Sequence, residues 1–212
     1  MNTLRTAYRL TVFGGSLVAA LSITGAHADS ALNGGRVESG VLFERQTSAD
    51  QSQRSDSITL APALSYEQAA VSKIEMLLTT QRDTDSSSGS DTYSRFNAVG
   101  IRVRKDVELV DHWGMYFRGL AGHTLGDTDR FWYGYTDAAL TYRLGPADLM
   151  LGLRVQRALD GASGQDFNKL LLGPVFRIGA KHSIEINWIR SWQATSNTLD
   201  SNSAMVEYIY KF

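Results

Sequence analysis

The stretch Ser203-Ala204-Met205-Val206-Glu207-Tyr208-Ile209-Tyr210-Lys211-Phe212 decides how the rest of the chain is read. Val206, Tyr208, Tyr210 and Phe212 fall on one parity, and Glu207 and Lys211 on the other. Side chains of an extended strand point alternately to opposite faces, so this strand has an apolar face and a charged one. The same period of two recurs upstream. Counting the last, ten segments carry it, at about 36–47, 55–66, 71–83, 92–104, 113–124, 131–144, 147–158, 167–178, 182–193 and 203–212. Their apolar parity holds, among others, Val41 and Phe43, Ile58 and Leu60, Met76 and Leu78, Ile101 and Val103, Met115 and Phe117, Leu140 and Tyr142, Leu151 and Leu153, Leu170 and Leu172, and Ile186 and Trp188.

The connections alternate in length. Short turns are expected at 67–70, 145–146 and 179–181, with a slightly longer one at 105–112. Polar loops fall at the opposite ends, at 48–54, 82–91 (RDTDSSSGSD), 125–130, 159–166 and 194–202. An even number of strands with short turns on one side and longer loops on the other is the pattern of transmembrane barrels. Pro62 and Pro174 fall inside strands, where each removes a ladder hydrogen bond, and predict local bulges.

Residues 1–28 read as a signal peptide. Arg5 and Arg9 precede an apolar run from Leu10 to Ile23, and Ala26-His27-Ala28 is a small-x-small cleavage site before Asp29. The expected organisation is therefore a leader over 1–28 and one barrel domain over 29–212. The leader takes two of the 21 basic residues and none of the 22 acidic ones, leaving a charge of −3, which argues against bulk electrostatic binding of nucleic acid. With no cysteine there is neither a disulfide framework nor thiolate chemistry.

Parity alone does not say which face points outward. The non-apolar face carries Arg, Glu, Lys and Gly on nearly every strand, which suits an interior of wet or paired charge. Aromatics gather towards strand ends, at Phe43, Tyr66, Trp113, Trp132, Tyr142, Trp192 and Tyr210, as interfacial girdles do. The closing Tyr208-Ile209-Tyr210-Lys211-Phe212 resembles the last strand of bacterial outer-membrane proteins, which ends in alternating aromatics and a terminal Phe read by the barrel-insertion machinery. The resemblance implies that role for Phe212. The expectation is an all-β fold, a closed antiparallel up-and-down transmembrane β-barrel of about ten strands. Both ends of the mature chain would lie in the periplasm.

In this register the lumen holds Glu38, Glu44, Lys73, Glu75, Arg102, Arg104, Arg118, Asp137, Arg143, Arg154, Lys169, Arg177, Glu185, Glu207 and Lys211. Segments four to eight contribute seven cations with Asp137 as their one acid, so one wall is expected to be basic and the opposite one acidic. Two readings stay open. A transverse field across a narrow pore would conduct small anionic solutes. An ion-paired plug would fill the interior, as small barrels do. Gly100-Ile101-Arg102-Val103-Arg104, Tyr116-Phe117-Arg118-Gly119 and the closing Tyr-x-Phe resemble the small monomeric porins of the oligogalacturonate-specific family. That resemblance implies a monomeric channel for acidic oligosaccharides, and twelve strands as the alternative to ten.

Arg45, Arg95, Arg157 and Arg190 lie on the lipid-facing parity near the loop ends, where an arginine costs little and its planar fork suits the phosphates of lipopolysaccharide. Catalytic machinery is not expected. His123, near Thr124, Asp127 and Asp129, is the sole start of a rim hydrolase, and no serine is spaced to complete a triad. His27, His112 and His182 are scattered, the loop acids lack the spacing of a calcium loop, and no metal or cofactor is expected. The sequence thus favours an outer-membrane channel for small anions. A non-conducting surface barrel with an ion-paired lumen and binding loops comes second, and a rim-located hydrolase third.

Overall fold

The computed structural model describes residues 35–66, 70–85, 92–126, 130–161 and 164–212, with the side chains of 92–96 left out. Ten strands follow one another: β1 (Gly35–Ser48), β2 (Gln53–Tyr66), β3 (Lys73–Asp85), β4 (Thr92–Glu108), β5 (Trp113–Thr124), β6 (Trp132–Leu144), β7 (Ala147–Ala158), β8 (Phe167–Ile178), β9 (His182–Gln193) and β10 (Leu199–Lys211). Each pairs antiparallel with its neighbours in sequence, and β10 closes on β1, so the sheet is a ten-stranded up-and-down barrel rather than a twelve-stranded one. The expected leader lies outside the described residues.

The parity read from the sequence holds on every strand. Apolar side chains point outward and stay exposed: Met76 at 50%, Ile101 at 61%, Leu151 at 51% and Leu153 at 65% would each be a large cost in water. They form a continuous belt, as a hydrocarbon layer requires. Inward, the positions opposite them are buried, among them Glu38, Glu75, Arg102, Arg118, Asp137, Glu185 and Glu207. Aromatic pairs ring both ends. Trp113 meets Tyr142 at 4.7 Å and His123 meets Trp132 at 4.7 Å, while His182 sits against Tyr208 and Tyr210.

Three expectations about the strands need correction. First, β4 continues to Glu108, paired as far as Glu108↔Gly114, so the polar run Lys105-Asp106-Val107-Glu108 is strand and the turn shrinks to 109–112. Second, β10 starts at Leu199, with a register shift between Leu199 and Ser201. In both places polar composition resembled a loop, but at a barrel's mouth strands run on past the hydrocarbon layer, and polar alternation there is ordinary. Third, neither proline makes a bulge. The β2–β3 ladder skips Ala61 and Pro62 and resumes in unchanged register at Ala63↔Glu75, and β8–β9 skips Gly173 and Pro174 and resumes at Val175↔Glu185. A proline lacks only the donor on one side, so the strand passes it without an extra residue. Gly173 permits a close approach there, because a Cβ at that position would run into the carbonyl of Ile186 on β9.

Candidate functional site in the barrel lumen

Alternation brings the inward residues of all ten strands into one narrow space. Near mid-height Arg102 of β4 donates to both carboxylate oxygens of Glu75 on β3, at 2.8 Å to Oε1, and through Nη2 to Glu207 Oε1 at 3.2 Å. Glu207 sits on β10, four strands away round the barrel, so this guanidinium bridges the lumen. Lys73 Nζ adds contacts to Glu75 Oε1 at 2.9 Å and Glu38 Oε2 at 3.1 Å, and Lys211 Nζ lies 3.7 Å from Glu38 Oε1. A second network lies towards β5–β7. Arg118 Nε donates to Asp137 Oδ1 at 3.0 Å, and Arg154 Nη2 to Asp137 Oδ2 at 2.8 Å. Arg118 Nη2 also donates to the Tyr116 hydroxyl at 2.9 Å, and that hydroxyl donates to Met150 Sδ at 2.8 Å. Arg154 stacks 3.9 Å above the Tyr135 ring. A dry cluster of Leu42, Tyr116, Ala139, Met150, Leu171, Ile189 and Met205 completes this layer.

The layer lies between two vestibules. Leu171, Met150, Glu75, Glu207 and Asn187 are all at 1% exposure or less. A vestibule of about 1030 Å³ opens at the turn end, and another of about 750 Å³ at the loop end, with no lining residue in common. On β4, Arg102 lines the loop-end vestibule and Arg104 the turn-end one; on β5, Arg118 and Tyr116 do the same. Successive inward positions are about 7 Å apart along a strand, so the septum there is one side-chain layer thick.

Nor is the basic wall as bare of acid as its parity count suggested. Asp106 and Asp148 also point inward on it. Arg104 pairs with Asp106 at 2.7 Å, and Arg143 and Arg177 flank Asp148, Arg143 Nε at 3.8 Å. Sequence reasoning missed these two acids because it placed Asp106 in a turn and left the inward parity of β7 unread at Asp148. The same parity would have found Tyr116, Tyr135 and Met150. Glu185 accepts from Asn187 Nδ2. Among the described residues Lys169 and Glu44 make neither an ion pair nor a hydrogen bond. Lys169 Nζ lies 5.4 Å from the Phe167 ring, next to Arg154 in register, within the loop-end vestibule.

Three of the four arginines expected on the outer face lie among the described side chains, and they behave differently from one another. Arg45 is held by Asp56, Nε to Oδ1 at 2.8 Å. Arg157 turns back on the sheet, donating to the carbonyls of Gln156 and Phe167 at 2.6 and 3.0 Å and to Asn168 Oδ1 at 3.2 Å, so it ties β7 to β8 and its fork is not offered to lipid. Arg190 lies over the Trp192 ring at 5.6 Å. The Arg95 side chain, like Asp127 and Asp129 beside His123, lies outside the described residues. His123 itself packs on Trp132. No group of three metal-ligating side chains occurs among the described residues.

An even-stranded closed barrel, apolar all round its outside and charged within, is a membrane-spanning barrel of the bacterial outer-membrane type. Three solved structures are similar to this chain to different degrees, and the first of them shares the fold. The COG4313 outer membrane channel from Pseudomonas putida F1 matches with a TM-score of 0.56 at 14% identity, over 88% of this chain and 98% of that one. The translocator domain of the autotransporter NalP from Neisseria meningitidis matches at a TM-score of 0.43 and 15% identity, over 98% of each chain. The KdgM porin matches at 0.39 and 8% identity, over 82% of this chain and 99% of that one. Identities this low speak to the fold alone. No protein-family model matches the chain, and no curated protein matches it in sequence.

Proposed function

We propose that this is a non-conducting outer-membrane barrel, sealed at mid-height by its ion-paired septum, which presents its loop-end face and vestibule for binding. The observation that carries this reading is Arg102, buried and held at once by Glu75 and by Glu207 from across the lumen. Such a bridge spans the lumen only where it is too narrow for a hydrated solute, and a buried guanidinium with two carboxylates has no free charge with which to attract an anion. The chain is exported with residues 1–28 as a cleaved leader, reaches the membrane through the insertion machinery by way of Phe212, and acts as a monomer without a cofactor. The turn end faces the periplasm and the loop end the outside.

A channel for small anions is the second reading. It is favoured by the thinness of the septum at β4 and β5 and by Lys169, a cation beside Arg154 without an ion pair. Planar-bilayer recording on the refolded barrel separates the two. The sealed reading expects no steady conductance at neutral pH. A stable conductance with anion preference, reduced by replacing Arg154 and Lys169 with Ser, overturns it in favour of the channel.

A further inference from the structure

Two opposite charges stand in the loop-end vestibule with nothing to hold them. Lys169 of β8 and Glu44 of β1 both line it, and among the described residues neither makes an ion pair or a hydrogen bond. The next inward position towards the turn end is Leu171 on β8 and Leu42 on β1, both members of the dry cluster. Two residues advance a strand by about 7 Å, so the two charges stand one step above that layer, at the bottom of the vestibule. Every other charge lining it is engaged. Arg102 is held by Glu75 and Glu207, Arg118 and Arg154 by Asp137, and Arg54 by Asp56. Asp200 accepts from Gln193 Nε2 and Ser201 Oγ, Asp83 from Gln81 Nε2, and Asp85 from Gln53 Nε2.

Lys169 is opposite Arg154 on β7 and Ser191 on β9, and Glu44 is opposite Ser57 on β2 and Met205 on β10. Two strands, β9 and β10, lie between them and bring Ser191 and Ser201 to the same wall. At about 4.8 Å per strand the two backbones are three spacings apart round the barrel. The charge of Glu44 acts on Lys169, yet no ion pair joins the two heads.

From this arrangement we infer that the loop-end vestibule binds a small zwitterion, an amino acid or short peptide, with its carboxylate on Lys169 and its ammonium on Glu44. An anion alone is drawn to Lys169 and Arg154, but brings its charge against Glu44 and Asp200. A cation alone meets the reverse. A molecule carrying both charges answers each of them, and charge-assisted hydrogen bonds at its two ends fix its direction. Like charges directly opposite in a sheet destabilise it, and a carboxylate on Lys169 offsets its repulsion from Arg154. The volume of about 750 Å³ has room for the ligand's own side chain, for which Tyr133, Tyr135 and Phe167 on the same lining offer apolar faces.

The inference deepens the binding role proposed above and rests on it for the closed bottom of the vestibule. Bilayer conductance tests that closure and ligand titration tests the site, so the two fail separately. The titration is followed by NMR on the refolded barrel in a nonionic detergent, at the amides of Ser191 and Ser57, the register partners of Lys169 and Glu44. Phenylalanine, or glycylphenylalanine with its charges further apart, should give saturable shifts. N-acetylphenylalanine and phenylalaninamide, each lacking one charge, should bind far more weakly. Glu44→Gln and Lys169→Gln should each weaken zwitterion binding by about tenfold or more, the scale of one charged hydrogen bond. Lys181→Gln, at the turn end, should leave it unchanged. Equal binding of the zwitterion and a singly charged derivative overturns the proposal, as does the absence of a saturable shift from both zwitterions. Where a Gln variant fails to fold, the series of probes on the wild type decides alone.

Discussion

Asp137 is the place where the proposed seal of the lumen is most directly open to measurement. The residue is 4% exposed, and it is the shared counter-charge of Arg118 and Arg154, whose side chains are 2% and 12% exposed. Asp137→Asn keeps the shape and one acceptor but removes the charge. Two guanidiniums then face each other beside the Tyr116 hydroxyl and the Tyr135 ring, with Glu185 left as a carboxylate acting on Arg118. Removing one partner of a buried pair costs about 3–5 kcal/mol, because the remaining charge is left uncompensated. Equilibrium urea unfolding in detergent micelles, followed by tryptophan fluorescence and gel mobility, reads this loss. Adding Arg118→Met to Asp137→Asn should recover part of it, since one of the stranded cations is then gone. A loss below about 1 kcal/mol, the size typical of solvent-exposed pairs, would mean that water screens these guanidiniums. In that case the septum is not a seal, and the reasoning from Arg102 and Glu207 fails with it.

Two further outcomes are expected. In the turn between β1 and β2, Ser48 Oγ and the amide and hydroxyl of Ser52 donate to the Asp50 carboxylate and hold its pKa down to about 2. The depressed value means that these bonds support the turn at neutral pH and fade as pH falls through the ordinary carboxylate range towards 2; an amide titration of Ser52 by NMR should show the low midpoint, Ser48→Ala should raise it, and an ordinary midpoint in wild type counts against the geometry. N-terminal sequencing of membrane-extracted protein should begin at Asp29, and deleting Phe212, whose amide donates to the Val37 carbonyl at 3.0 Å, should lower the amount assembled; uncleaved protein outside the outer membrane refutes both.

The strands were legible because a membrane barrel is a two-faced sheet with a strict period. Lipid on one side and charge on the other leave each residue of β7 or β10 little freedom, so parity identifies both the belt and the lumen. Even the strand number follows, since each strand needs its own turn. What escaped was whatever did not depend on parity. Lys105 to Glu108 looked like a turn because composition at a barrel mouth is polar whether or not the backbone is paired. Pro62 and Pro174 looked like bulges because a missing donor is visible in sequence, while the intact register beyond it is not.

The candidate site was legible as a set of residues and not as an arrangement. Glu75, Arg102, Arg118, Asp137, Arg154 and Glu207 were all assigned to the lumen from alternation. Whether Arg102 faces a water-filled pore or a carboxylate depends on the distance across the barrel between β4 and β10. That distance follows from closure, tilt and the packing of Tyr116, Met150, Leu171 and Ile189, none of which is a local property of the chain. Arg45, Asp56 and Arg82 likewise come side by side only once three strands are in register, because they lie far apart in sequence. Alternating chemistry along each strand fixed the fold and the side on which every residue stands, since parity is set within a single strand. The pairing of charges, the division of the lumen and the grouping of arginines on the outer face were decided by the tertiary structure, because electrostatic energy depends on separations that only the closed barrel sets.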